Sequence, residues 1–461
     1  MPIIEADMSV FFVILLIFLN ITPVLSLDLP VSRISDDSHL RLRLRDTWMI
    51  ESPTRILSQS PRTELLETGE RIDVRAIEGR DDFMVILSRE LVRGRIATEA
   101  NPAVERRPTG QFPGWAQGSW MLMRNKRTGA PSLIRIFLRS DQSTYIQFRP
   151  FTSDKSQMDA VVYGGYLTRS MPVDVPFESL YTMPLNDILR LVQGKFDLRY
   201  FEPNPAIYTD TSRFISNVRQ HLPMRFADDG AIDEHGNYVL INNLRAQNPA
   251  TRGLNCSGFL KWLIDGILRP VTGERLLITP LREPFGQRGS AFTENWEERR
   301  DPFFGLDWIR NLAAEANGTL RSPVFRNLEE FEVNRNLFTF VMVNENNSFV
   351  DQSYPGFLRE AGYGIEGLRP LLYTLAIDEP YSFYLAAVNN EIANLTSRHG
   401  TPRLRQYFHV AAIVPYFDEF GVFRIVVFES AVETSYTAFR SRYPEHYVNL
   451  VQIPITTRFD P

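Results

Sequence analysis

The sequence predicts an α+β protein, with a β-rich domain in front and a mixed half behind it. Three observations carry that expectation. Short runs of alternating apolar and polar residues crowd the stretch up to about residue 170. Beyond about residue 240, apolar residues fall at helical spacing in some stretches and in strand-like runs in others. The 461 residues are 44% hydrophobic, a globular composition long enough for two or three domains, and they contain no internal repeat.

Taken in order, residues 9–26 ("SVFFVILLIFLNITPVLS") form an apolar segment of signal-peptide type, ending at Pro23 and a small-residue site around Val24 and Ser26. Glu5 and Asp7 stand where basic residues are usual, and a start at Met8 would remove both. An uncleaved membrane anchor, giving membrane association through this segment, is the alternative. Residues 27–170 then form the β-rich domain. It has a polar Arg- and Ser-rich lead, one strand in "DDFMVILSREL", a loop over 101–115, and strands in "SWMLMRN", "SLIRIFLRS" and "TYIQFRPF". "AVVYGGYL" reads as one further strand. Residues 171–240 make a bridge with two helices, "LNDILRLVQGKF" and "TSRFISNVRQHL", and a hairpin in "DDGAIDEHGNYVLI".

The third unit, 241–461, holds the chain's single cysteine in "RGLNCSGFLKWLIDGILRP". With Asn255 as N-cap, apolar residues at 256, 259, 260, 263, 264, 267 and 268 share one helix face. Arg269 and Pro270 predict its stop. Cys256 then sits in the first turn, where unpaired N–H groups and the helix dipole favour a thiolate. The same N–H groups suit an oxyanion. Gly258 leaves room for a strand or a substrate to approach. The bland alternative is a buried cysteine opening an amphipathic helix.

Asn255-Cys256-Ser257-Gly258-Phe259-Leu260 resembles the Asp-Cys-Ser-Gly signature of the NlpC-type cell-wall cysteine peptidases. In that papain-like family the cysteine opens a helix packed on a small antiparallel sheet. A histidine begins a following strand, and a polar residue on the next strand orients it. The resemblance implies a papain-like domain over 241–461, with an insertion at about 271–400 folded beside the core. It implies an exported thiol peptidase or amidase of the periplasm or cell envelope, acting without a cofactor on peptidoglycan stem peptides or another peptide. Asn255 and Ser257 would meet the substrate. The chain departs from the family in having Asn255 for the usual Asp, Glu at the third position, and 153 residues between Cys256 and His409.

Of six histidines only His409 opens a strong strand, "HVAAIVPYF"; a turn at "DEFG" and the strand "VFRIVVFES" come after it. A hairpin brings His409 beside Glu429 or Ser430, according to loop length. Glu429 is the choice, because a carboxylate holds the imidazole tautomer and stabilises imidazolium better than a hydroxyl. Pro415 predicts a bulge or an edge in the first strand.

Other signals point to packing. Gly362-Tyr363-Gly364-Ile365-Glu366-Gly367 has the spacing of a dinucleotide loop but no preceding strand, and Pro370 interrupts the residues after it, so a turn is expected. Asp307-Trp308 reads as helix N-terminal packing. The histidines lack metal-ligand spacing, so no metal is expected. The net charge is −5 and the arginines are scattered among acids, which argues against nucleic acid as a partner. Two non-peptidase readings remain: a thiol acyltransferase, and a cell-envelope scaffold without turnover.

Overall fold

Alternation builds the front half. In the computed structural model, which describes residues 28–95, 105–222, 225–286, 301–336, 340–343, 349–352, 356–358, 361–391 and 405–461, eight antiparallel strands succeed one another. They are β1 (Arg62–Leu65), β2 (Arg71–Glu78), β3 (Asp82–Arg89), β4 (Trp120–Asn125), β5 (Pro131–Ile136), β6 (Tyr145–Pro150), β7 (Ser156–Val162) and β8 (Gly165–Val173). The apolar segment 9–26 lies outside the described residues. Among those described, no helix is long and apolar enough to cross a membrane.

Two corrections fall here. The polar lead contains a helix, α1 (Ser38–Leu44), whose Arg41 is fully buried. Its guanidinium is held by Asp37 Oδ1 at 2.7 Å and by the carbonyls of Tyr181 (2.9 Å) and Met183 (2.8 Å), so burial comes with partners for the charge. "AVVYGGYL" is a hairpin between β7 and β8. Its turn residues Tyr163 and Gly164 both have left-handed backbone, at φ 46° and 83°, which suits the twist of a two-residue connection.

Helices α2 (Leu185–Val192) and α3 (Thr209–Gln220) lead to the hairpin β9 (Gly230–Ile232) and β10 (Tyr238–Leu240), then to α4 (Cys256–Thr272) and α5 (Phe304–Leu320). The stretch 271–400 is not a separate insertion. It supplies α5 to the core, and its strands β11 (Phe340–Val343) and β12 (Phe349–Gln352) extend the front sheet to ten strands through Gly165–Phe340 pairing. It also supplies helix α6 (Leu368–Asp378) and strand β14 (Ser382–Glu391) to the rear half.

The second sheet has six strands: β13 (Tyr363–Gly364), β14, β15 (Arg405–Phe417), β16 (Phe423–Glu429), β17 (Val432–Ser435) and β18 (Tyr447–Pro454), in the order β13-β18-β14-β15-β16-β17. Its strands are buried on both faces. Phe383, Leu385, Ala387, Val410 and Ala412 pack with α3, α4 and α5. Tyr384, Ala386, Val388, Ala411 and Ile413 pack with α6 and with the core of the front half. The period-2 alternation thus makes one sheet the middle of three layers. The glycine-rich stretch 362–367 is a short strand and a 3-10 turn leading into α6. Pro370 falls in the first turn of that helix, where its missing N–H would have had no partner.

Helix α4 runs through Pro270, correcting the expected stop at Arg269-Pro270, and ends at Gly273 in left-handed backbone (φ 78°). Pro270 cannot donate to the Gly266 carbonyl. That carbonyl instead accepts the Asp460 N–H at 2.8 Å, so the broken rung is satisfied from outside the helix. Phe459 fills the space beside Gly266, where a Cβ would lie 2.3 Å from its ring.

Candidate active site

The first turn of α4 is fixed from three sides. Asn255 caps it, its Oδ1 accepting the Gly258 N–H at 2.7 Å, and its own N–H donates to the Gly230 carbonyl at 2.9 Å. Trp308 of α5, fully buried, donates its indole N–H to the Ser257 carbonyl at 2.9 Å. The bland reading of Asp307-Trp308 as packing is therefore the correct one. Gly258 admits strand β9: a Cβ there would stand 1.9 Å from the Gly230 oxygen. The close approach expected at this glycine is made by a strand.

His409 lies near the start of β15. The connection to β16 is Glu419–Gly421, closed by Asp418 N–H to the Val422 carbonyl at 3.0 Å, with Gly421 at φ 72°. Pairing runs from Phe417–Phe423 to Ala412–Phe428, and one further step sets Glu429 opposite Ala411. The connection has the three-residue length that would set His409 opposite Glu429, but it lies one residue further along, so Glu429 faces Ala411. Glu429 still shares the face of His409, because residues 409 and 411 project the same way and a diagonal neighbour is within reach. His409 Nε2 stands 2.7 Å from Glu429 Oε2. Ser430 is used otherwise: with Ala431 it adopts left-handed backbone (φ 47° and 68°) and turns the chain into β17. Pro415 lies beyond the last β14–β15 pair, Tyr384–Ile413, so it meets a local edge. The bulge falls at Phe408, between the pairs of Val388 and Asn389.

Cysteine and histidine meet where β16 stops. Cys256 packs against the core on the α4 side of the sheet, beside the stretch of β15 that continues past the last β15–β16 pair, Ala412–Phe428. There the sulfur is within hydrogen-bonding reach of the His409 ring and the Val410 N–H. Burial pushes the thiol pKa up. The hydrogen bond and charge of His409, the Val410 N–H and the Ser257 hydroxyl outweigh it and bring the thiol below its ordinary value. With Nε2 engaged by Glu429, Nδ1 is the ring nitrogen left for sulfur. The N–H groups of Cys256 and Ser257, at the first two positions of the helix, have no intrahelical partner and are placed for an oxyanion.

The expected substrate contacts look different in place. Asn255 Oδ1 is committed to capping. Ser257 is 4% exposed and adjoins the sulfur, which leaves little of it for a ligand. Two residues missed in the sequence complete the site. Helix α7 (Tyr436–Arg442) brings the Arg442 guanidinium onto Glu429 Oε1, so both carboxylate oxygens are held. Tyr443 stacks on the His409 ring, centroids 5.5 Å apart and planes at 30°. Desolvation raises the Tyr443 pKa, so its phenol stays neutral beside the imidazole. Nothing local in "FRSRYPEHY" signals these roles, which arise only from α7 folding back along β16. Among the described residues no group of three or more His, Cys, Asp or Glu could hold a metal.

A family model described as a domain of unknown function (DUF8515) matches residues 30–200, which span α1, strands β1–β8 and α2. Cys256, His409 and Glu429 lie outside that match. No curated protein and no solved structure matches the chain.

Proposed function

We propose that this protein is an exported cysteine hydrolase of amide bonds, built on a papain-like core and acting on peptidoglycan stem peptides. One observation carries the reading: a thiol held below its ordinary pKa at a helix N-terminus, against a histidine whose far nitrogen is fixed by a buried carboxylate. Cys256 attacks the carbonyl as thiolate, forming an S–C bond. His409 takes the thiol proton as general base and then, as general acid, gives it to the leaving amine as the C–N bond breaks. It then takes a proton from water as that water cleaves the thioester and regenerates the thiol. Glu429 holds the ring and stabilises imidazolium, and Arg442 holds Glu429. The chain order Cys, His, Glu and the resemblance around Cys256 support the wall peptide as substrate.

The test is release of new amino groups from purified peptidoglycan, with loss of that release in Cys256→Ala. Acyl transfer to an added amine without hydrolysis would identify an acyltransferase. No turnover in either assay would leave a scaffold.

A further inference from the structure

On the side of α7 away from Glu429, a cleft of about 510 Å³ is lined by Arg369, Arg424, Arg440, Tyr436, Thr437 and Ser441. Each guanidinium is steadied by one contact. Arg424 Nε lies 2.9 Å from Asp418 Oδ2, Arg440 is paired with Glu366 at the cleft wall, and Arg369 lies over the Tyr163 ring, 4.3 Å from its centroid. A guanidinium carries five N–H donors in a rigid fork, so a single carboxylate fixes its direction without using it up. Arg369 has no carboxylate partner among the described residues. The lining thus holds three fixed cations, one carboxylate and the hydroxyl groups of Thr437 and Ser441, while the Tyr436 hydroxyl is itself buried. That donor-rich set fits a multiply charged oxyanion better than a neutral or cationic ligand.

We propose that this cleft binds a multiply charged oxyanion group, of a phosphate ester or a polycarboxylate. The site does not depend on thiol chemistry at Cys256, although the same helix carries Arg442 to Glu429. Calorimetric titration of the full chain with inorganic phosphate at low ionic strength tests it. One saturable site per chain is expected, weakened about tenfold or more in Arg369→Gln, since a hydrogen-bonded charge partner is lost. Arg190→Gln, an exposed change on α2, should leave it unaltered. Because Arg369 is exposed, its replacement should lower the unfolding temperature only by the small amount that loss of its contact with the Tyr163 ring costs. Citrate in place of phosphate separates the two sources: tighter citrate binding points to carboxylates, tighter phosphate binding to an ester. No saturable heat with either anion, equal binding in Arg369→Gln and the parent, or equal loss in Arg369→Gln and Arg190→Gln overturns the proposal.

Discussion

Replacing Gly258 by alanine separates the architecture of the first turn from its chemistry. The new Cβ would stand 1.9 Å from the Gly230 oxygen and 2.8 Å from the Ala231 Cα. The first contact falls 1.1 Å short of the 3.0 Å that real Cβ atoms keep. Both obstacles are backbone, so α4 and β9 must separate by about that amount. Overpacking of this kind costs about 1–3 kcal/mol. The displacement falls on the turn that carries Cys256, and a shift of about 1 Å in a reacting group costs on the order of 100-fold in rate. Urea unfolding measures the first effect. Iodoacetamide labelling at pH 6–7 measures the second without ambiguity, because the chain has one cysteine. Gly273→Ala is the control. It also strains a backbone, at φ 78°, but meets nothing within 4 Å, so it should cost about 1 kcal/mol and leave labelling unchanged. A Gly258→Ala protein with parental stability and parental labelling would refute the account of the first turn.

Three further outcomes are expected. In His409→Ala the thiol loses the partner that lowers its pKa, so the inflection of alkylation against pH moves upward and labelling at pH 6–7 slows. Glu429→Gln keeps the fold, judged by circular dichroism, but loses about 10²–10⁴-fold in turnover of wall peptide as the imidazolium is destabilised; parental turnover would remove Glu429 from the mechanism. Lys261 and Asp265 form a buried pair on α4, Nζ to Oδ2 at 2.7 Å. Lys261→Met alone should cost about 3–5 kcal/mol in urea unfolding, whereas Lys261→Met with Asp265→Leu should cost far less.

The parts of the site legible in the sequence are those set by local rules. Asn255 caps because of its residue type and position, His409 stands directly before a long apolar run, although the strand itself begins four residues earlier at Arg405, and a hairpin must bring Glu429 near it. What escaped was set by distant chain. The register depended on Asp418 closing onto Val422, a turn one residue further along than "DEFG" suggests. Arg442 and Tyr443 reach the site only because α7 folds back over β16. Strands β11 and β12 join a sheet whose other members end at residue 173, a pairing that no local periodicity encodes. Pro270 misled for the same reason: the acceptor it strands on Gly266 is satisfied by Asp460, far downstream.

That contact with Asp460 sets a schedule for assembly. Helix α4 is made well before its final donor: Phe459 packs edge-on against Trp262 at 5.4 Å, and the Pro461 carbonyl accepts from Arg269 at 2.8 Å and Arg275 at 3.1 Å, up to 192 residues away in sequence. A nascent chain halted before residue 459 therefore carries its thiol on a helix with an unmet carbonyl and an uncovered aromatic face. The cysteine is synthesised early, but the surroundings that hold its helix are complete only once translation has passed residue 461. A chain stalled short of that point would display an unfinished helix, open to proteolysis until residues 459–461 arrive.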